Sequence, residues 1–210
     1  MAAYTWTMRR EPSRESNRVH GCTGGAAGRR YSVADLTALP EDGWICELVM
    51  GRLVRMPLPT ALHGQCEVEV AAALHAYVKA HGLGEAYVGG TGFDLTLPGD
   101  DGPTVLGADV SFVRVERLAA LADENAYIPG APDLVVEIAS SSQFRPMLGA
   151  KAWLWLSRGA RLVWVVWPER QELDVWTPGQ ETPRTLRLGD AVEGGDVLPG
   201  FTLSLADLFA

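Results

Sequence analysis

Lysine is nearly absent from this sequence. The 210 residues include 16 arginines but only two lysines, Lys79 and Lys151. Such a bias reflects a compositional preference for Arg, and it makes each remaining Lys a position to account for. Cysteine is scarce as well. Cys22, Cys46 and Cys66 form no CxxC pair, which argues against a zinc knuckle, and an odd count argues against a disulfide framework. A reducing cytoplasm is the expected compartment. The longest apolar runs, such as Leu162–Trp167, fall far short of the roughly 20 residues of a membrane span. No apolar h-region follows the early arginines, so a secretory signal is not expected. There is no GxSxG elbow, no GxxxxGKS/T phosphate loop, no GxGxxG after a strand and no HExxH helix. No nucleophile–base pair is visible.

What is present is a globular composition with uneven charge. The chain is 47% hydrophobic and 21% charged, enough apolar content for one real core. Residues 1–30 carry six Arg and two Glu and show no sustained apolar period, so they are expected to form a disordered basic arm. Residues 31–210 carry 12 basic and 24 acidic groups and are expected to form a single domain. A body this acidic is not a nucleic-acid coat built on dense basic patches. It remains compatible with an enzyme that handles nucleic acid through a local metal site, where the ion supplies the positive charge.

Punctuation divides the body into short elements. Ser32 is placed to cap a helix over 33–39 that Pro40 ends. WICELVMGRLVRMP predicts a hairpin around Met50-Gly51. Cys66, Val70, Ala73, Leu74 and Tyr77 share one face of a helix predicted from His63 to Ala80, which Gly82 and Gly84 end. Residues 86–97 predict a strand with a glycine-rich bend, and 105–115 another strand. DLVVEIA at 133–139 predicts a central strand, a helix follows within 143–159, and 162–167 predicts a second buried strand. Residues 173–176 and 185–188 are expected as edge strands, and the tail as a turn and a short helix. Strands flanked by helices predict a mixed α/β sheet.

Two acids stand inside apolar runs: Asp109 in VLGADVSFV and Glu137 in DLVVEIA. A carboxylate there is costly to bury unless it is paired or bound to metal. Each is either a strand-end acid that reaches solvent or a site residue. Two of them in neighbouring strands favour a shared metal. Glu47 lies either on the polar face of the hairpin or beside that site. Lys151 lies either on a solvated helix face or over the acids; its neighbours Ala150, Ala152, Trp153 and Leu154 offer few partners for a solvated face. His63 opens its helix and either fills a surface turn or binds an anion at the helix N-terminus. The late tryptophans suggest core packing and a homodimer interface.

The order of these pieces resembles the Uma-type "putative restriction endonuclease" family of the PD-(D/E)XK nuclease superfamily. The resemblance spans about residues 31–210. It rests on YSVADLTALPEDG, on Glu47 followed by Gly51, on Pro59 and His63, on GADVSFV, on PDLVVEIASSS, on Lys151 fourteen residues after Glu137, and on RGARLVWVVWPERQELDVW and VLPGFTLSL. It implies a restriction-endonuclease-like mixed sheet flanked by helices, with an N-terminal hairpin and edge strands. It implies metal-binding acids at Asp109 and Glu137, an early acid at Glu47 and a migrated lysine at Lys151. The usual lysine position, two residues after the Glu, is Ala139 here. Ala108, Ser141, Met147, Ala150 and Trp155 depart from the pattern around these four. The implied activity is phosphodiester hydrolysis, in DNA, with Mg²⁺ or Mn²⁺ on Asp109, Glu137 and the Ile138 carbonyl. A binding or assembly module that keeps the fold without turnover is the competing expectation. Without metal, the two acids are expected to repel, with Lys151 offsetting part of that repulsion.

Overall fold

In the computed structural model, residues 29–40, 43–119, 123, 125–141 and 143–210 are described. Most of the expected arm, 1–28, lies outside them. Its last two residues touch the folded body. Arg29 pairs with Asp35 at 3.5 Å and covers the Tyr31 ring, and Arg30 donates to the Met50 carbonyl.

Helix α1 (Val33–Thr37) starts at a capping box: Ser32 Oγ accepts from Asp35 N and Asp35 Oδ2 accepts from Ser32 N. Strands β1 (Ile45–Val49) and β2 (Arg52–Met56) form the expected hairpin. Met50 and Gly51 both have positive φ (52° and 72°), the two-residue turn whose twist suits a hairpin. Helix α2 (Ala61–His81) runs from the Thr60 cap to Gly82 in the left-handed region, one turn longer than the sequence predicts. It buries His63, Cys66, Val70, Leu74 and Val78.

Strands β3 (Gly84–Asp94) and β4 (Val105–Arg114) pair antiparallel. A register shift between Val88 and Thr91 places the expected glycine bend at Gly89-Gly90. After α3 (Val115–Leu118) and the short β5 (Ile128–Pro129) come β6 (Leu134–Ile138), α4 (Arg145–Ser157) and β7 (Leu162–Trp167). β6 and β7 are parallel and buried along their whole length, Glu137 being the one polar residue in either strand. β8 (Glu172–Trp176) and β9 (Arg184–Arg187) follow antiparallel. A two-stranded ribbon, β10 (Ala191–Glu193) with β11 (Thr202–Ser204), precedes α5 (Leu205–Leu208).

The large sheet runs β2-β1-β4-β6-β7-β8-β9, with β3 on β4 and β5 on β3. Helices cover both faces. Val136, Ile138, Trp164 and Val166 pack towards α2, whereas Val135, Val163 and Val165 pack towards α4. β8 is not the expected edge strand: β9 covers it, and its Leu173 and Asp174 are buried. Of the late tryptophans, Trp155, Trp164 and Trp167 are buried within this one chain, Trp176 is half-buried and Trp153 is 52% exposed. Among the described residues, no helix is long and apolar enough to cross a membrane.

Candidate active site

β4 has two edges. β3 takes one edge along most of the strand. The other edge is shared: β1 meets it at Val105 and β6 from Val110 onward. Between those contacts the edge of residues 106–109 has no ladder partner. Backbone groups there still require hydrogen bonds, and charged side chains supply them. Gly107 N donates to Glu47 Oε1 at 2.9 Å, and Gly107 O accepts from Lys151 Nζ at 3.2 Å. One residue pair further on, Asp109 Oδ2 accepts from Ile138 N at 2.7 Å. Glycine at 107 is a packing requirement, because a Cβ there would lie 2.8 Å from the Gly90 carbonyl oxygen.

Lys151 reaches into this fork from α4. Its ammonium sits 2.9 Å from Glu47 Oε1 and 2.9 Å from Glu137 Oε2. Both acids are 4% exposed, and the lysine side chain is 12% exposed. The other Glu137 oxygen accepts from Trp155 Nε1 at 2.7 Å. The solvated readings of Glu47 and Lys151 are therefore overturned: β1 turns Glu47 inward, and α4 aims its lysine at the sheet.

Burial is the largest influence on Glu137, and it drives the carboxyl up to about 8. Lys151 pulls it down, and the charges of Asp109 and Glu47 push it up by less than burial does. The acids repel and Lys151 offsets part of it, as the sequence leads one to expect, but burial is the larger effect. Burial also disfavours the Lys151 ammonium, but Glu137 and Glu47 outweigh it and raise the lysine above its ordinary value.

His63 is buried, not in a surface turn. Its Nε2 stands 3.3 Å from Asp109 Oδ2, and its Nδ1 stands 3.9 Å from Glu67 Oε2. Nδ1 makes no hydrogen bond among the described residues. Burial lowers the imidazole, yet the hydrogen bond and charge of Asp109, followed by Glu67 and Glu137, leave it raised overall. Glu67 Oε1 also accepts from Gly89 N at 3.0 Å, tying the glycine bend to α2.

All five side chains singled out in the sequence, Glu47, His63, Asp109, Glu137 and Lys151, thus meet around the β1–β4–β6 fork. Ile138 contributes its N–H to Asp109, while its side chain lies in the core towards α2. Two participants escape a sequence reading. Trp155 reads as core, although it stands four residues after Lys151 and so on the same helical face. Glu67 bears the same i,i+4 relation to His63.

The donor set suits a hard dication: two carboxylates from neighbouring strands, with Asp109 still 26% exposed. Among the described residues, no group of three or more His, Cys, Asp or Glu is arranged to hold a metal. The cation lodged between Glu47 and Glu137 is the lysine itself.

Comparison with known proteins agrees with this architecture. The chain is similar to a solved structure described as a putative nuclease from Anabaena variabilis, with 23% identity, a TM-score of 0.69, and coverage of 85% of this chain and 97% of that one. That likeness establishes the fold. No curated protein matches. The profile of one family, Uma2, described as "Putative restriction endonuclease", matches residues 33–206. The chain belongs to this Uma2 restriction endonuclease family.

Proposed function

We propose that the protein is a metal-assisted endonuclease that hydrolyses phosphodiester bonds in DNA. The observation that carries this reading is the convergence of Glu47, Asp109, Glu137 and Lys151 from β1, β4, β6 and α4, with Glu47 and Lys151 104 residues apart in sequence. Family membership supports a nuclease; the metal and the DNA are our inference.

Asp109 and Glu137, with the Ile138 carbonyl, would hold Mg²⁺ or Mn²⁺. Bound there, the ion would supply Lewis-acid polarisation of the phosphate and a more acidic water. The remaining roles belong to the chain. Lys151 brings a permanent positive charge to a buried site, where it can orient a water and offset charge building on the phosphate. Glu47 holds that ammonium in place. Trp155 fixes one Glu137 oxygen and so the direction of the carboxylate. His63 sits in the first turn of α2, where a cationic imidazole and the helix N-terminus both favour a phosphate.

A second reading is a nuclease-fold binding module without turnover. It draws on a specific observation: both Glu137 oxygens and Glu47 Oε1 are already hydrogen-bonded to the protein's own donors. Nicking of supercoiled and linear DNA, with Mg²⁺ or Mn²⁺ and with chelator, separates the two. Metal-dependent product supports the enzyme. Binding without product, at any metal concentration, supports the module.

We also infer a cytoplasmic homodimer. Trp164 and Trp167, buried within the chain, lend no support to the dimer, but Leu58 before α2, Val68 on α2 and Trp153 on α4, 65%, 64% and 52% exposed, leave apolar surface uncovered.

A further inference from the structure

Helix α4 carries more than Lys151. Arg145 opens it, Lys151 stands six residues on, and Arg158 caps it seven residues later. Each cation meets carboxylates on a different part of the fold. Arg145 donates one nitrogen to Asp174 and another to Glu172, both on β8. Arg158 grips Asp100, in the loop between β3 and β4, through two nitrogens at 2.7 and 3.2 Å.

The Arg145 contact is built like the one at Lys151. Asp174 is buried, 2% exposed, as Glu137 is. Each carboxylate takes one cation from α4 and one indole N–H: Trp155 on Glu137, and Trp167 on Asp174 at 2.8 Å. Thr185 Oγ1 fills the remaining Asp174 oxygen at 2.5 Å. The two acids also share one row across the sheet. Glu137 lies opposite Val165 on β7, and Val165 lies opposite Asp174 on β8. Two strand spacings, roughly 9.6 Å, separate the two acids, and one helix supplies a cation to each.

A helix tied to the sheet by charge at two points is set by charge as well as by shape. Leu148, Ala152 and Trp155 hold the helix down through apolar contact, which is non-directional. A guanidinium fork on two carboxylates fixes direction as well as distance.

We propose that Arg145, gripped by Asp174 and Glu172, is a positioning residue: it sets α4 along its axis and so fixes where the Lys151 ammonium sits between Glu47 and Glu137. Only the kinetic consequence rests on the nuclease reading; the placement itself does not.

The test uses the full-length protein and two readouts. The first is the indole ¹H–¹⁵N resonance of Trp155, assigned with Trp155→Phe, which reports the Trp155–Glu137 contact two strands away from Asp174. The second is steady-state cleavage. Arg145→Met is expected to fold by circular dichroism, to move the Trp155 resonance, and to lower kcat by as much as roughly 100-fold with KM for DNA little changed. Asp174→Asn, nearly isosteric, should do the same and serves if Arg145→Met fails to fold. Arg145→Lys keeps the charge but lacks the fork, and should not restore the resonance. Arg187→Met, which removes the exposed partner of Glu172, should leave it in place. A wild-type Trp155 resonance in folded Arg145→Met and Asp174→Asn overturns the proposal and makes Arg145 a stabilising contact only. A wild-type protein that cleaves nothing would sink the nuclease reading, while the resonance still decides the role of Arg145.

Discussion

Replacing Lys151 with Met removes the one cation that two buried carboxylates share, and the cost should depend on pH in a defined way. At 2.9 Å, an ammonium–carboxylate pair is worth about 6 kcal/mol at an effective dielectric of about 20, and Glu137 adds its pair only as it ionises towards pH 8. Most of that is offset by the desolvation of three charges. The net loss on breaking such a buried arrangement is about 3–5 kcal/mol. The pH dependence comes from Glu137. Its folded-state value is raised to about 8 from 4.5, so the stability tied to its proton is present in full below 4.5 and fades as pH rises towards 8. Lys151 is one of the influences holding that value down. Without it, Glu137 titrates higher still, and the fading continues above pH 8 in the variant when it has ended in the wild type. The stability difference between the two proteins should therefore be nearly constant below pH 8. Above that, it should grow by up to about 1.4 kcal/mol per pH unit. Urea unfolding at pH 6, 7.5 and 9 measures this directly. A difference that is the same at pH 6 and pH 9, or a Lys151→Met protein as stable as the wild type, would refute the placement of the lysine between the acids.

The remaining expectations concern the same fork. Glu137→Ala orphans the Trp155 indole and should cost about 1–3 kcal/mol more than Glu137→Gln, which keeps an acceptor; denaturation midpoints of the pair check it. Both changes, and Asp109→Asn, should abolish divalent-metal binding in calorimetry, and unchanged affinity in any of them would remove that residue from the metal shell. Because Glu137 must ionise to bind metal, Mn²⁺ binding at pH 7 should release protons and strengthen towards pH 8; binding heats that are identical in buffers of different ionisation enthalpy would contradict this. Gly107→Ala drives a methyl onto the Gly90 carbonyl and should destabilise by about 1–3 kcal/mol, read as a lowered Tm. Light scattering at micromolar concentration should return the mass of two chains, and a monomer would end the dimer inference.

Local order was largely written into the sequence. Ser32 and Asp35 make a capping box because their spacing allows it, and Met50-Gly51 makes a tight turn because glycine tolerates positive φ. The runs at 134–138 and 162–167 hold a single polar residue between them, Glu137, too little to make a solvent face, so they become central strands. Asp109 and Glu137 were visible because a carboxylate inside an apolar run needs a partner to be worth burying. The sequence could not say which partner, since that depends on strand order. Only the forked edge of β4 leaves Gly107 unladdered and brings Glu47 beside Glu137 and Lys151, and only the crossing of α4 over β6 turns Trp155 from a core residue into a donor. The same holds for β8, whose pattern reads as an edge until β9 covers it. It holds too for Arg145 and Asp174, which stand 29 residues apart with nothing in either neighbourhood to announce the other. Residue chemistry fixes what each segment must satisfy locally. Which distant group satisfies it is decided by strand order and by where each helix crosses the sheet.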